Sequence, residues 1–130
     1  MTDDLKYFRD PVHGFIEVTP LELKIIEHPL FQRLRRIKQL GLAHYVFHGA
    51  THTRFGHSLG VMKIAKQITQ NLKIPEEESQ KIAMAALLHD IGHFPLSHTF
   101  EKVMEKILKI RGGHEEYTKA IIERTSLRDI

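Results

Sequence analysis

The neighbours His89 and Asp90 end the apolar run Ala83-Met84-Ala85-Ala86-Leu87-Leu88, and an imidazole beside a carboxylate makes a pair of good metal ligands. An ionised Asp taken out of water without a partner is costly even after relaxation, so Asp90 calls for a cation, a donor cluster or a metal. His57, one helix upstream, offers a second imidazole. A mixed imidazole and carboxylate set without sulfur suits a divalent ion such as Fe, Mn, Ni, Zn or Mg and leaves room for water. A divalent ion lowers the pKa of its bound water toward neutrality and polarises a phosphoryl oxygen, which is the chemistry of phosphate-ester hydrolysis. The competing reading from these residues alone is two hydrogen-bonded core histidines and an Asp that caps a turn.

The rest of the composition narrows the setting. Ten histidines in 130 residues are the anomaly, since the hydrophobic and charged fractions are those of an ordinary globular domain. A net charge of +3 is too small and too dispersed to demand a nucleic-acid track, which is not excluded, but it tolerates phosphates. The absence of cysteine removes disulfides, thiolate catalysis and Cys-ligated zinc. Residues 1–6 lack the basic start and apolar run of a signal peptide, and no apolar stretch is long enough to span a bilayer. The expected location is the cytoplasm, with no membrane partner.

Several elements must position these residues. Asp10-Pro11-Val12-His13-Gly14 is a turn cluster between β-favouring stretches and predicts a small hairpin over 7–18. Thr19-Pro20-Leu21-Glu22 is a capping box that starts a helix at Pro20, ended before Pro29. A second helix is expected over about 30–40, with Gly41 as its C-terminal cap and Arg33, Arg35, Arg36 and Lys38 on a solvated face. Residues 41–56 read as a long ordered loop. From His57, the spacing of Val61, Ile64, Ile68 and Leu72 predicts a helix with that stripe and His57 facing inward. Pro75 and Glu76-Glu77-Glu78 open another helix that carries Ile82, Ala86, His89 and Asp90 on one side. Gly92 and Pro95 interrupt it. A further helix over 98–111 is expected to bury Phe100, Val103, Met104, Ile107 and Leu108, and a last one starts near His114 with Tyr117, Ile121 and Ile122 on one face. The whole is a single mainly α domain over 1–130, with five or six helices and a minor N-terminal β-hairpin.

The strings Arg54-Phe55-Gly56-His57-Ser58-Leu59-Gly60-Val61 and Leu88-His89-Asp90-Ile91-Gly92-His93 resemble the HD-domain family of metal-dependent phosphohydrolases. With Asp10-Pro11-Val12-His13-Gly14, Phe31-Gln32-Arg33-Leu34-Arg35, Ile37-Lys38-Gln39-Leu40-Gly41 and Phe94-Pro95-Leu96-Ser97-His98, the chain most resembles the deoxynucleoside triphosphate triphosphohydrolase branch. The resemblance extends over residues 10–115. It implies an HD-type helical core and hydrolysis of a nucleoside triphosphate to nucleoside and inorganic triphosphate.

The resemblance also implies roles. His57, His89 and Asp90 match three of the family's four metal ligands. The fourth is an Asp far downstream of the pair: Asp129 lies too near, in a tail expected to fray, and Asp3, Asp4 and Asp10 precede the motif. The expectation is therefore a domain incomplete at its C-terminal end, or a shortened member whose three-ligand site takes water as the fourth. His93 matches a phosphate-contacting histidine, His98 a general acid for the leaving oxygen, and His114 another active-site histidine. Glu101 stands where relatives carry Asp, placed to orient His98. Gln39 matches a sugar contact and Arg54 a phosphate fork. Against these stand an exposed helix start for His98 and His114, an ion pair for Arg54 and a cap for Gln39. Lys6, Gln32 and Arg35 resemble a regulatory site for an activating nucleotide at an oligomer interface, with Arg9 where relatives often have Asn. Surface or loop roles are expected for His28, His44, His48 and His52. The alternatives in function are hydrolysis of another nucleotide or phosphate ester, or a non-catalytic metal- and nucleotide-binding module.

Overall fold

The computed structural model describes residues 5–109 and 111–130; the readings made on residues 1–4 and at position 110 lie outside the described residues. Chain order is β1 (Lys6–Asp10), β2 (Gly14–Val18), α1 (Pro20–Glu27), α2 (Pro29–Gln32), α3 (Arg54–Asn71), α4 (Glu76–Leu88), α5 (Ser97–Leu108) and α6 (Gly113–Arg124). Short 3-10 turns follow at Arg33–Arg36, Ala43–Tyr45 and Ser126–Asp129. This is the mainly α architecture with an N-terminal hairpin. Among the described residues no helix is long and apolar enough to cross a membrane.

Local chemistry sets the first elements. Asp10 Oδ1 accepts from the amides of Val12 at 2.9 Å and His13 at 2.8 Å, folding the strands into register with Phe8 opposite Ile16. Alternation along β2 then buries Ile16 and Val18 and exposes Phe15 and Glu17. The capping box is formed on both sides, Thr19 accepting from the Glu22 amide and Glu22 from the Thr19 amide. Glu22 is buried, and Lys66 of α3 meets its carboxylate at 2.6 Å, so the cap also anchors α3. Ile25, Ile26, Phe31, Leu34, Phe55, Leu59, Met62, Ala83, Leu87 and Ile91 complete one core with the hairpin.

Several expectations are corrected. The helix predicted over 30–40 is α2 plus one 3-10 turn, because the chain from Ile37 is extended and pairs with the segment before α3. Lys38 bridges Thr53, the Gln39 amide donates to His52 O at 3.0 Å, and the Arg54 amide donates to Ile37 O at 2.8 Å. These long-range bonds outweigh the local preference for helix. Gly41 consequently lies in a loop turn and caps no helix. Arg33 leaves the solvated face: it is half-buried and donates to two carbonyls of the turn after α4. The third helix starts at Arg54, capped by Thr53, and turns a different face inward. Phe55, Ser58, Leu59 and Met62 are buried, whereas Ile64, Ile68 and Leu72 are 46%, 52% and 67% exposed. Both faces carry helical spacing, and packing against α4 selects between them.

The fourth helix ends at Leu88, so Asp90 turns inward while Ile82 stays exposed. On α5 only Ser97 is buried; Val103, Ile107 and Leu108 are exposed, and the helix packs through Ser97, Phe100 and its contact with α6. Phe100 and Met104 are half-buried, Phe100 against Phe94. The tail does not fray: Leu127 is buried in the core, and His28, which caps α2 through Nδ1, holds Ser126 Oγ through Nε2 at 2.8 Å.

Leu34 is fully buried at the junction of α2, α3 and the extended segment. Leu34→Ala is expected to lower unfolding stability by about 2–5 kcal/mol in urea titrations, and a loss under about 1 kcal/mol would contradict this packing.

Candidate metal centre

Three elements converge on Asp90. The first turn of α3 contributes Arg54 and His57, the C-terminal end of α4 contributes His89, and the turn that follows contributes Asp90 and His93. Asp90 is buried, as is Arg54, whose guanidinium donates to Asp90 Oδ2 at 2.8 Å. Arg54 also reaches Ser97 Oγ at 3.4 Å and Gln39 O at 3.3 Å, so it serves here as an ion pair and brace. Burial alone would raise the Asp90 pKa, but the close approach of His93, the hydrogen bond from Arg54 and the neighbouring positive groups hold it well below the ordinary carboxylate range.

The imidazoles of His57 and His89 approach the same oxygen. His57 Nε2 lies 3.5 Å and His89 Nε2 3.4 Å from Asp90 Oδ2, with ring centroids 5.3 Å apart. An ion about 2.1 Å from each ligand separates tetrahedral neighbours by about 3.4 Å and octahedral ones by about 3.0 Å. Both His–Asp separations match these spacings, and all three ligand atoms lie within 4.8 Å of one another, so the group could hold one divalent ion. His89 Nδ1 is 2.7 Å from Ala86 O, and a carbonyl only accepts, so the ring proton sits on Nδ1 and Nε2 keeps its lone pair. Both rings are about a third exposed, so the site opens to solvent on their side. Burial lowers the pKa of His57 despite Asp90, which favours the neutral, ligating form.

His93 lies behind this group with 1% exposure. Its Nε2 is 3.3 Å from Asp90 Oδ1 but off the line of a hydrogen bond, which leaves a buried ring nitrogen without a formed partner. Burial pushes its pKa down more than Asp90 raises it. His93 stacks on His114, centroids 4.1 Å apart, and meets His98 edge-on at 5.1 Å.

A second carboxylate organises those two rings. Glu101 takes His98 Nδ1 on one oxygen and His114 Nδ1 on the other, each at 2.9 Å, and also accepts from the His114 amide. Burial works to raise the Glu101 pKa, yet the hydrogen bonds from His98 and His114 lower it to about 2. Because a carboxylate only accepts, both histidines keep the proton on Nδ1, and Nε2 is the atom free to exchange one. The φ of Gly113, +56°, lies in the left-handed region that favours glycine, and a Cβ there would also displace the Glu101 carboxylate from its place between the two rings.

The remaining sequence candidates are placed as follows. Gln39 lines a cavity of about 540 Å³ with His52, Thr53, His57 and Val61, closed on one side by the hairpin turn. Gln32 and Arg35 touch, Arg35 Nε donating to Gln32 Oε1 at 2.8 Å while its guanidinium lies 3.8 Å over the Phe55 ring. Lys6 is exposed on β1. Sequence reasoning missed Arg33, Ser97 and Thr118. Arg33 is hidden in a basic run; Ser97 and Thr118 act by hydroxyl contacts that carry no periodic signal.

The HD domain model matches residues 54–130. The deoxynucleoside triphosphate triphosphohydrolase SAMHD1 of Gallus gallus is 48% identical over 106 residues, covering 76% of this chain and 17% of the relative. YwfO of Bacillus subtilis is 44% identical over 123 residues, covering 90% of this chain and 27% of that protein. A solved structure of a hypothetical protein from Aquifex aeolicus superposes with a TM-score of 0.83 at 43% identity, over 96% of this chain and 32% of that one. The chain thus spans less than a third of the length of each of these relatives. It belongs to the HD domain family.

Glu101 binds its proton more weakly folded than unfolded, so its contribution to stability is complete above its ordinary value of 4.5 and is lost as pH falls toward about 2. In urea unfolding of chelator-treated protein, Glu101→Gln is expected to flatten the loss of stability across that window. Equal pH slopes for variant and parent would contradict the shared carboxylate.

Proposed function

We propose that this chain carries the catalytic centre of a metal-dependent phosphohydrolase acting on deoxynucleoside triphosphates, releasing nucleoside and inorganic triphosphate in the cytoplasm. The observation that carries the reading is the approach of His57 Nε2 and His89 Nε2 to one Asp90 oxygen at 3.5 and 3.4 Å. A divalent ion held by these three side chains supplies charge withdrawal from the phosphoryl group and activation of water. In the net reaction a water oxygen bonds to the α-phosphorus, the bond from that phosphorus to the sugar oxygen breaks, and the departing oxygen takes a proton.

The chain's own residues supply the remainder. Arg54 fixes the Asp90 carboxylate and keeps it ionised. His98, exposed at the edge of the site with Nδ1 tied to Glu101, gives its Nε2 proton to the sugar oxygen. His93 and Arg54 back the site from buried positions, so the phosphate contact this reading assigns to them requires the site to open on binding, and Gln39, which lines the neighbouring cavity, is assigned to the sugar. His114 shares the Glu101 carboxylate with His98 and holds it in place. The same reading assigns Lys6, Gln32 and Arg35 to an activating nucleotide between copies in a homo-oligomer.

The test is incubation with a panel of deoxynucleoside triphosphates plus manganese, with nucleoside and triphosphate quantified. His89→Ala is expected to lose bound metal and turnover together. His98→Ala is expected to retain metal while losing about 10²–10⁴-fold in kcat. Release of inorganic phosphate in place of triphosphate indicates cleavage of a different phosphate bond and favours a phosphohydrolase of other specificity. Metal and nucleotide binding without cleavage, in the natural full-length protein, favours a binding module and overturns the enzymatic reading.

A further inference from the structure

Arg33 lies in the 3-10 turn after α2 and sends its guanidinium to the turn that carries His89, Asp90 and His93. One arm donates to Ile91 O at 2.6 Å and the other to His93 O at 2.8 Å. Ile91 and His93 are buried and stand beyond the end of α4, where carbonyls have lost their helical partners. Two such acceptors without donors would each keep the full desolvation penalty. A planar guanidinium serves both at once, whereas an ammonium is a single point charge.

The opposite side of the turn is held independently. Thr118 of α6 accepts from the Gly92 amide at 3.0 Å and donates to His89 O at 3.4 Å. A Cβ at Gly92 would collide with His114 O and with Thr118, so the missing side chain lets α6 approach. The turn is thereby gripped at alternate peptide groups, by Thr118 at 89–90, by both side chains at 91–92 and by Arg33 at 93–94. Neither side chain touches the imidazole nitrogens or the Asp90 carboxylate through these bonds.

We infer that Arg33 is a positioning residue for the metal centre, holding the backbone of residues 91–93 so that the Asp90 carboxylate and the flanking His89 and His93 rings meet His57 in ligating geometry. The inference rests on the reading of His57, His89 and Asp90 as a metal centre. Arg33 itself stays remote from substrate and reacting atoms.

Cobalt(II) titration of the chelator-treated full chain, followed by ligand-field absorption, reports site geometry, and amide hydrogen exchange of the metal-free chain reports the clamp directly. In a folded Arg33→Met variant, cobalt affinity is expected to fall about 10- to 100-fold with shifted absorption bands. Exchange across 91–93 is expected to accelerate while α1 exchanges as in the parent. Arg33→Lys, which keeps the charge and one contact, is expected to fall between the two. Parent-like affinity, bands and exchange in folded Arg33→Met overturn the inference. If Arg33→Met does not fold, the same parent-like result in Arg33→Lys overturns it. If the parent chain takes up no cobalt, the metal-centre reading fails, and the exchange measurement alone decides whether Arg33 holds the turn.

Discussion

The constraint on which the domain turns is the burial of the Asp90 charge. An exposed ion pair contributes about 0–1 kcal/mol, but stripping one partner from a buried pair costs about 3–5 kcal/mol, because the remaining charge stays shut from water. Asp90 and Arg54 are in the second situation, with both side chains almost wholly buried. The chain must therefore deliver Arg54 to Asp90 accurately, and the surrounding structure does so. The extended pairing of 37–39 with 52–54 fixes where α3 begins, Thr53 caps that first turn, and Ser97 and Gln39 brace the guanidinium. With Arg54 so placed, His57 falls one helical turn further along and faces the same carboxylate.

What could be read from sequence follows from how local each interaction is. The hairpin and the start of α1 depend on Asp10, Thr19 and Glu22 bonding to amides two or three residues away, and such contacts leave a signature in the residue string. The His89 and Asp90 pair is legible because two polar ligands interrupt an apolar run. The orientation of α3 is not local. Its Phe55, Leu59 and Met62 face and its Val61, Ile64 and Ile68 face both satisfy helical spacing, and the tertiary partners on one side, α4 with the hairpin and Phe31, distinguish them. The loss of helix after Arg36 has the same origin, since the bonds that pull Ile37 and Gln39 straight come from residues about fifteen positions away. Arg33 was illegible because an arginine that binds two carbonyls and one that faces solvent look alike within a basic run.

The two carboxylates divide the histidines by function. Around Asp90 the His89 ring is fixed by a carbonyl on Nδ1, so its Nε2 presents a lone pair, the state a metal requires. Around Glu101 the Nδ1 atoms of His98 and His114 donate to a charged acceptor, which leaves Nε2 as the atom that can exchange a proton. His93 joins the groups, close to Asp90 on one side and stacked on His114 on the other. On the proposed reading one residue type would serve both ligation and proton transfer, and the partner of the remote ring nitrogen distinguishes the two sets.

The Glu at position 101, where the branch this chain resembles carries Asp, fits that division. From α5 a carboxylate at i+3 reaches His98 with either side chain, but Glu101 also spans the gap to α6, meeting both the ring and the amide of His114. The approach of α6 needed for this is permitted at Gly113, where no Cβ stands between the helix start and the carboxylate. The extra methylene and the glycine are therefore complementary. A side chain at 113 would meet the Glu101 carboxylate that joins the two rings. The position of α6 in turn decides whether Thr118 reaches the Gly92 amide, so the reach of one carboxylate on α5 helps to set the turn that presents Asp90.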